Sequence, residues 1–179
     1  RSKLEAERRL LHLSDDFFTL VILRKGTVYG YSPRMRFDLV INTFLKDALS
    51  RGYMTLHAGG ETWRPVVGVK DAARAYVACL DAEEASVRGE VFNVVFGNFR
   101  VSEMALRVRE TLRKIDPTID IRAEYTQERS RSYRVSGGKL GRVLGFRPAE
   151  SIENVIEDAI YWLQRQGDID FEHAKYYNT

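Results

Sequence analysis

The sequence predicts an α/β fold, and three observations carry that expectation. Short apolar runs suited to buried strands occur at Phe18–Leu23 and Glu90–Val95. Stretches with apolar residues at helical spacing alternate with them. Glycine-bearing segments separate the two kinds of element, as in chains that wind helices around a mostly parallel sheet.

In chain order, residues 2–13 read as a helix with Leu4, Leu10, Leu11 and Leu13 along one side and Lys3–Glu7 as a four-apart pair. The helix opens without an N-cap signal, so the chain is expected to begin inside an element. Phe18–Leu23 follows as a strand buried on both faces. Phe37, Val40, Ile41, Phe44, Leu45, Ala48 and Leu49 form a wide helical stripe, and Gly52 stops it. Gly59-Gly60 divides two short β-like pieces, Met54–His57 and Trp63–Val69. A helix from Asp71 to Leu80 and the strand Glu90–Val95 come next. Val101, Ser102 and Leu106 have the spacing of a hydrophobic staple around a serine N-cap. The helix this starts would bury Ala105, Val108, Leu112 and Ile115. Ile119–Tyr125 reads as a strand. Ser151 caps a last helix carrying Ile152, Val155, Ile156, Ala159, Ile160 and Leu163 on one face. The tail after Gly167 is polar and aromatic, without a period.

Composition narrows the function classes. The 179 residues are 44% hydrophobic and 30% charged, the balance of a globular chain. The 28 basic and 25 acidic residues nearly cancel, to a net charge of +3, so composition supplies no argument for a nucleic-acid partner. No apolar run approaches the ~20 residues that span a bilayer, so no membrane partner is expected. The first residues, Arg1-Ser2-Lys3-Leu4-Glu5, are not a signal peptide. One cysteine, Cys79, excludes an internal disulfide and suggests a cytoplasmic setting. The three histidines, His12, His57 and His173, have no ligand spacing, so no metal site is expected. A Gly-rich G-x-G-x-x-G turn is absent, although a dinucleotide-binding sheet normally opens with one.

Several segments, in order, resemble one family. Lys3 matches the end of the Tyr-x-x-x-Lys motif of short-chain dehydrogenases, with the tyrosine falling before Arg1. Leu23-Arg24-Lys25-Gly26-Thr27-Val28-Tyr29-Gly30 resembles the strand-ending "LR-x-x-N-VYG" of the extended subfamily. Gly59-Gly60-Glu61-Thr62-Trp63-Arg64-Pro65-Val66-Val67-Gly68-Val69-Lys70-Asp71 resembles "GDG-x-x-RDFVHV-x-D". Gly89–Val94 resembles "G-x-x-FNVG", and Lys139–Pro148 resembles "K-x-x-x-x-LGF-x-P". Thr27 stands where many members have Asn, and Pro65 and Gly68 replace the usual Asp and His. The chain is thus similar to the C-terminal half of extended short-chain dehydrogenase/reductase enzymes, the NAD-dependent nucleotide-sugar epimerases and dehydratases.

The resemblance implies the C-terminal part of a Rossmann-like parallel sheet plus a smaller mixed α/β substrate domain. Residues 1–30 and 70–97 would close the dinucleotide-binding domain, and 31–69 and 98–179 would form the substrate domain. It implies NAD or NADP as cofactor, NAD foremost, and a nucleotide-diphosphate sugar as substrate. It also implies a homodimer built from the helices at 2–13 and Phe37–Leu49. The chain alone is expected to be inactive.

Roles carry over residue by residue. Lys3 would bond the nicotinamide ribose and lower the pKa of the tyrosine. The plainer reading is a solvated lysine at a helix start. Gly26 and Tyr29 would approach the cofactor, or Tyr29 would simply pack at a turn. Thr27, at the carboxyl edge of a strand, would bond the substrate or satisfy local backbone. Arg64 would hold the substrate diphosphate, or pair with Asp71. Arg131 would close on the same diphosphate, with Arg129 and Arg134 as neighbours able to do so. Asp71 reads as a helix cap, Asn93 as a backbone-satisfying residue, Cys79 as core, and His57 as surface or core with a pocket role in reserve. A non-catalytic dinucleotide-binding scaffold on the same fold is the alternative function; an interaction module is a third, disfavoured by its exposed sheet edge.

Overall fold

The computed structural model describes residues 2–125 and 131–178. Helix α1 (Ser2–Leu11) buries no residue. It reaches the rest of the molecule through Glu7, whose carboxylate accepts from the Arg24 Nε at 3.0 Å. Strand β1 (Val21–Lys25) starts three residues later than the apolar run suggests. The cause is local: the Phe17 and Phe18 amides donate to the Asp15 carboxylate at 2.8 and 2.9 Å, a turn that competes with strand pairing. β1 pairs in parallel with β5 (Glu90–Val94), from Val21↔Glu90 to Lys25↔Val94.

The chain then crosses to a second sheet. Strand β2 (Thr27–Tyr29) runs parallel to β4 (Trp63–Gly68), which pairs antiparallel with β6 (Gly97–Arg100). Gly26 makes this crossing possible. A Cβ there would lie 2.9 Å from the Pro65 carbonyl oxygen, so only glycine allows the two backbones to meet. Pro65 is tolerated in the middle strand because the β2 ladder begins one residue later, at Thr27↔Val66. A third, parallel pair joins β3 (Tyr53–His57) to β7 (Asp120–Glu124).

Helices cover these strands. α2 (Val40–Arg51) ends where Gly52 adopts a left-handed φ of 75° and returns its N–H to Ala48. α3 (Val69–Leu80) follows β4 directly, and the short α4 (Glu84–Val87) precedes β5. α5 (Val101–Leu112) starts one residue before the expected serine cap; Ser102 lies in its first turn. The Val101 N–H donates to the Thr62 carbonyl at 3.0 Å, which replaces a side-chain cap. α6 (Gly138–Leu144) has no counterpart among the sequence expectations, because Gly-Lys-Leu-Gly-Arg lacks an apolar stripe. α7 (Ile152–Arg165) is capped by Ser151, whose hydroxyl accepts from Asn154 at 3.2 Å.

Two apolar cores result. One gathers Tyr29, Phe37 and Leu45 with the inner faces of α5 and α7; the tail residues Phe171, Tyr176 and Tyr177 pack on it. The other gathers Val67, Ala75, Cys79, Phe92 and Val94. Val66 and Val67, adjacent on β4, face opposite cores, as strand alternation requires. Leu140 and Phe146 of the α6 segment pack with the second core, beside β5. The α2 stripe is consumed internally: Ile41 and Leu45 are fully buried, Phe44 and Ala48 nearly so. Leu49, at the end of the same stripe, remains exposed. Among the described residues, no helix is long and apolar enough to cross a membrane.

Candidate active-site clefts

Strand β4 separates two clefts, and side-chain alternation assigns its residues between them. Arg64 lines the first, a space of ≈ 290 Å³ walled by Val40, Phe44 and Val101, with Asp38, Asp47 and three threonines supplying polar groups. Pro65 lines the second, ≈ 500 Å³, together with Arg24, Lys25, Gly26, Asn93 and Arg134. The second cleft opens at the carboxyl ends of β1 and β5, where Lys25 and Val94 form the last pair of the ladder. Ligands of α/β sheets collect at that edge.

A segment after residue 130 lines the second cleft and is tied to β4. The Ser132 hydroxyl accepts from the Trp63 amide at 3.0 Å, and the Tyr133 N–H donates to the Trp63 carbonyl at 3.3 Å. Asn98 holds Val135 through both amide groups, at 3.0 and 2.8 Å. Asn93 donates to the Ser136 carbonyl at 3.0 Å, the backbone-satisfying role its sequence context suggests. Arg64 donates to the Arg131 carbonyl and, at 2.9 Å, to that of Trp63. Its guanidinium carbon lies 5.8 Å from the Tyr133 ring centroid. Arg134 sits 4.9 Å over the Trp63 ring.

The residues singled out from sequence therefore divide. Arg64 lines the first cleft and Gly26 the second, Arg131 meets Arg64 through its backbone carbonyl and lines neither, and Thr27 pairs with Val66 of β4. Arg129 lies outside the described residues. Lys3 is exposed and, among the described residues, lines neither cleft. The Glu7–Arg24 contact ties the middle of α1 to the end of β1, and Lys3 stands one helical turn, ~6 Å, toward the N-terminus from it.

Tyr29 is a packing residue, and its expected contact with a cofactor needs correction. Its side chain is fully buried, and its hydroxyl donates to the Glu150 carbonyl at 2.9 Å. Burial, reinforced by the Asp71 charge, raises its pKa far above the ordinary phenol value. Asp71 is neither a cap nor the partner of Arg64. It lies inside α3, fully buried; one oxygen accepts from Arg74 at 2.6 Å, the other from the Ala149 and Glu150 amides at 2.8 Å each. His57 is exposed at the rim of the first cleft, 3.4 Å from Glu124. Lys25, Asp38 and Asp47 carried no sequence signal, and Arg24 appeared only within the family-like motif, because their place at a cleft depends on contacts between distant segments.

A sequence model of the NAD dependent epimerase/dehydratase family matches residues 1–95. The chain belongs to that family. Solved structures extend the likeness of this family member beyond the matched segment. A structure of Pal from Bacillus thuringiensis aligns with 92% of this chain and 52% of its own, at 19% identity and a TM-score of 0.73. The UDP-glucuronic acid 4-epimerase from Bacillus cereus, in complex with UDP-glucuronic acid and NAD, aligns over 89% of this chain and 50% of its own, at 22% identity and a TM-score of 0.67. The ADP-L-glycero-D-manno-heptose-6-epimerase of Helicobacter pylori covers 91% and 49%, at 20% identity and a TM-score of 0.71. At such identities the likeness is one of fold: mixed α/β with parallel, Rossmann-like strand pairing. This family member spans about half the length of the solved structures it matches.

Proposed function

We propose that this chain forms the substrate-binding half of an NAD(P)-dependent epimerase or dehydratase acting on a nucleotide-diphosphate sugar through a keto intermediate. One observation carries the reading. Arg64 of β4 lines the first cleft and donates to the Arg131 carbonyl, so the basic segment after residue 130 is tied to the strand that borders this recess. A guanidinium fork matches phosphate oxygens in geometry as well as charge. The apolar walls beyond it suit the base of a nucleotide.

The second cleft takes the reacting sugar and the dinucleotide. Its lining supports this: Arg24, Lys25 and Arg134 are cations beside Asn93 and Ser136, a donor-rich set at the carboxyl edge of the sheet. NAD(P), when bound, supplies the hydride acceptor. Gly26 borders that cleft, Thr27 follows it in β2, and Lys3 stands on α1 one turn beyond the Glu7 that holds the end of β1. The Lys3 ammonium orients a ribose hydroxyl and favours the deprotonated form of an adjacent phenol. Residues 1–30 and 70–97, with the α6 segment packed on them, close the dinucleotide part; the remainder shapes the substrate part. The reading includes a homodimer whose interface is built from α1 and the helix of the Phe37–Leu49 stripe.

The test is Arg64→Ala in the full-length protein, with affinities for NAD+ and for nucleotide sugars measured alongside the melting temperature. Substrate affinity falls by about 2 kcal/mol or more, roughly 30-fold, while NAD+ affinity barely changes. An unchanged substrate affinity with a lowered melting temperature refutes the assignment.

A further inference from the structure

The polar, aromatic tail after Gly167 lines neither cleft, yet it is fastened behind the wall of the first. The Phe171 and Tyr176 rings meet the Phe37 ring edge to face, with centroids 5.2 and 4.9 Å away. The Phe37 N–H donates to the Tyr176 carbonyl at 3.1 Å, and the Arg34 Nε donates to the Lys175 carbonyl at 3.0 Å. The Tyr177 hydroxyl donates to the Phe171 carbonyl at 2.9 Å, which closes the tail on itself. The Lys46 ammonium, on α2, donates to Glu172 at 3.3 Å and lies 3.4 Å from Asp47. Its side chain is only 10% exposed, so the two carboxylates offset the cost of taking that charge out of water.

These anchors stand next to residues that line the first cleft. Phe37 precedes Asp38, and its carbonyl accepts from the Thr43 hydroxyl at 2.6 Å; Asp38 and Thr43 both line the recess. Lys46 adjoins Asp47, another lining residue, whose Oδ1 is shielded from solvent and faces Lys46 and Arg51. Val40 and Phe44, part of the apolar wall, belong to the same stretch. α2 begins without a side-chain cap, so its first turn relies on contacts from outside the helix. The second cleft has no such tie: among the described residues, none that lines it has a hydrogen bond or ion pair to the tail. Resting on the reading of the first cleft as the nucleotide-diphosphate site, we propose that residues 168–177 are a strap that positions the 38–47 wall of that cleft, with Lys46 as the positioning residue that fastens the strap to α2. The strap thereby governs the binding of substrate and leaves that of the dinucleotide untouched.

The experiment is hydrogen–deuterium exchange on the full-length protein, read beside calorimetric titration with NAD+ and with UDP, GDP, dTDP, ADP and CDP. Lys46→Met, Lys46→Arg, Phe171→Ala and Glu172→Ala are compared with the unaltered protein. Exchange over residues 38–47 rises about tenfold in Lys46→Met and in Phe171→Ala, while β1 and β5 keep their protection. The diphosphate that binds tightest loses about fivefold or more in affinity in both variants, and NAD+ affinity holds. Lys46→Arg keeps the Glu172 contact and most of the diphosphate affinity. Lys46→Met and Glu172→Ala together lose less than the sum of their single effects, because both break one contact. The proposal is overturned if exchange rises evenly along the chain, if diphosphate affinity holds while 38–47 loosens, or if NAD+ affinity falls in step. Should Lys46→Met fail to fold, Phe171→Ala and the exposed Glu172→Ala decide. If none of the five diphosphates binds the unaltered protein, the nucleotide-sugar reading falls, and the strap stands or falls on the exchange at 38–47 alone.

Discussion

Replacing Asp71 by alanine should destabilise this protein more than most single changes, and the structure indicates by how much. The carboxylate is fully buried. Its Oδ2 accepts from the Ala149 and Glu150 amides, both at 2.8 Å, and its Oδ1 accepts from Arg74 at 2.6 Å. Arg74 is 54% exposed on its side chain, so water replaces that contact at little cost. Ala149 is exposed and Glu150 half-buried, so water partly replaces the carboxylate at these amides and each costs about 1 kcal/mol, the low end for a donor left without a partner. We expect a loss of about 2 kcal/mol for Asp71→Ala. The loop at 149–150 also accepts the Tyr29 hydroxyl, so its release loosens the end of β2. Asp71→Asn keeps one carbonyl oxygen for the amides and should lose only about half as much. Urea denaturation of the full-length protein, followed by far-ultraviolet circular dichroism, measures both. A loss below about 1 kcal/mol for the alanine variant, at unchanged m-value, would refute the claim that these amides depend on Asp71.

Three further outcomes follow from particular contacts. Gly26→Ala places a Cβ 2.9 Å from the Pro65 oxygen and 3.1 Å from the Val66 nitrogen, all backbone, so it should cost about 1–3 kcal/mol and lower the melting temperature. The Arg36 hydrogen bond holds the Asp38 carboxyl below its ordinary pKa. Its folded value is thus lower than its unfolded value, so the pair contributes stability above the unfolded value of about 3.9 and loses it as pH falls through the folded one. Carboxyl carbon NMR should show Asp38 titrating low, and returning toward the ordinary value in Arg36→Ala. Burial raises the Cys79 thiol pKa, so iodoacetamide at neutral pH should label that site slowly in the native protein and quickly after denaturation, as read by peptide mass spectrometry.

The order of helices and strands was legible in the sequence because it rests on local patterns. The stripe of α7 and its Ser151 cap, the Gly52 stop of α2 and the apolar run of β5 each depend on residues within a turn or two of one another. The motif set carried the family, and Arg64 carried the candidate site, through an arginine between a glycine turn and an apolar strand. Other features were illegible. α6 has no stripe because it buries little beyond Leu140. Asp71 reads as a cap from its position in the chain, yet its partners lie 78 and 79 residues away. Tyr29 sits within a recognisable motif, but whether it meets a ligand or a core depends on the loop at Glu150. Local chemistry, read along the chain, determined the elements and the family. Which side chains share a cleft was decided only when β4, with Arg64 and Pro65 on opposite faces, came to lie between segments distant in sequence, because alternation along a strand assigns sides but only packing supplies neighbours.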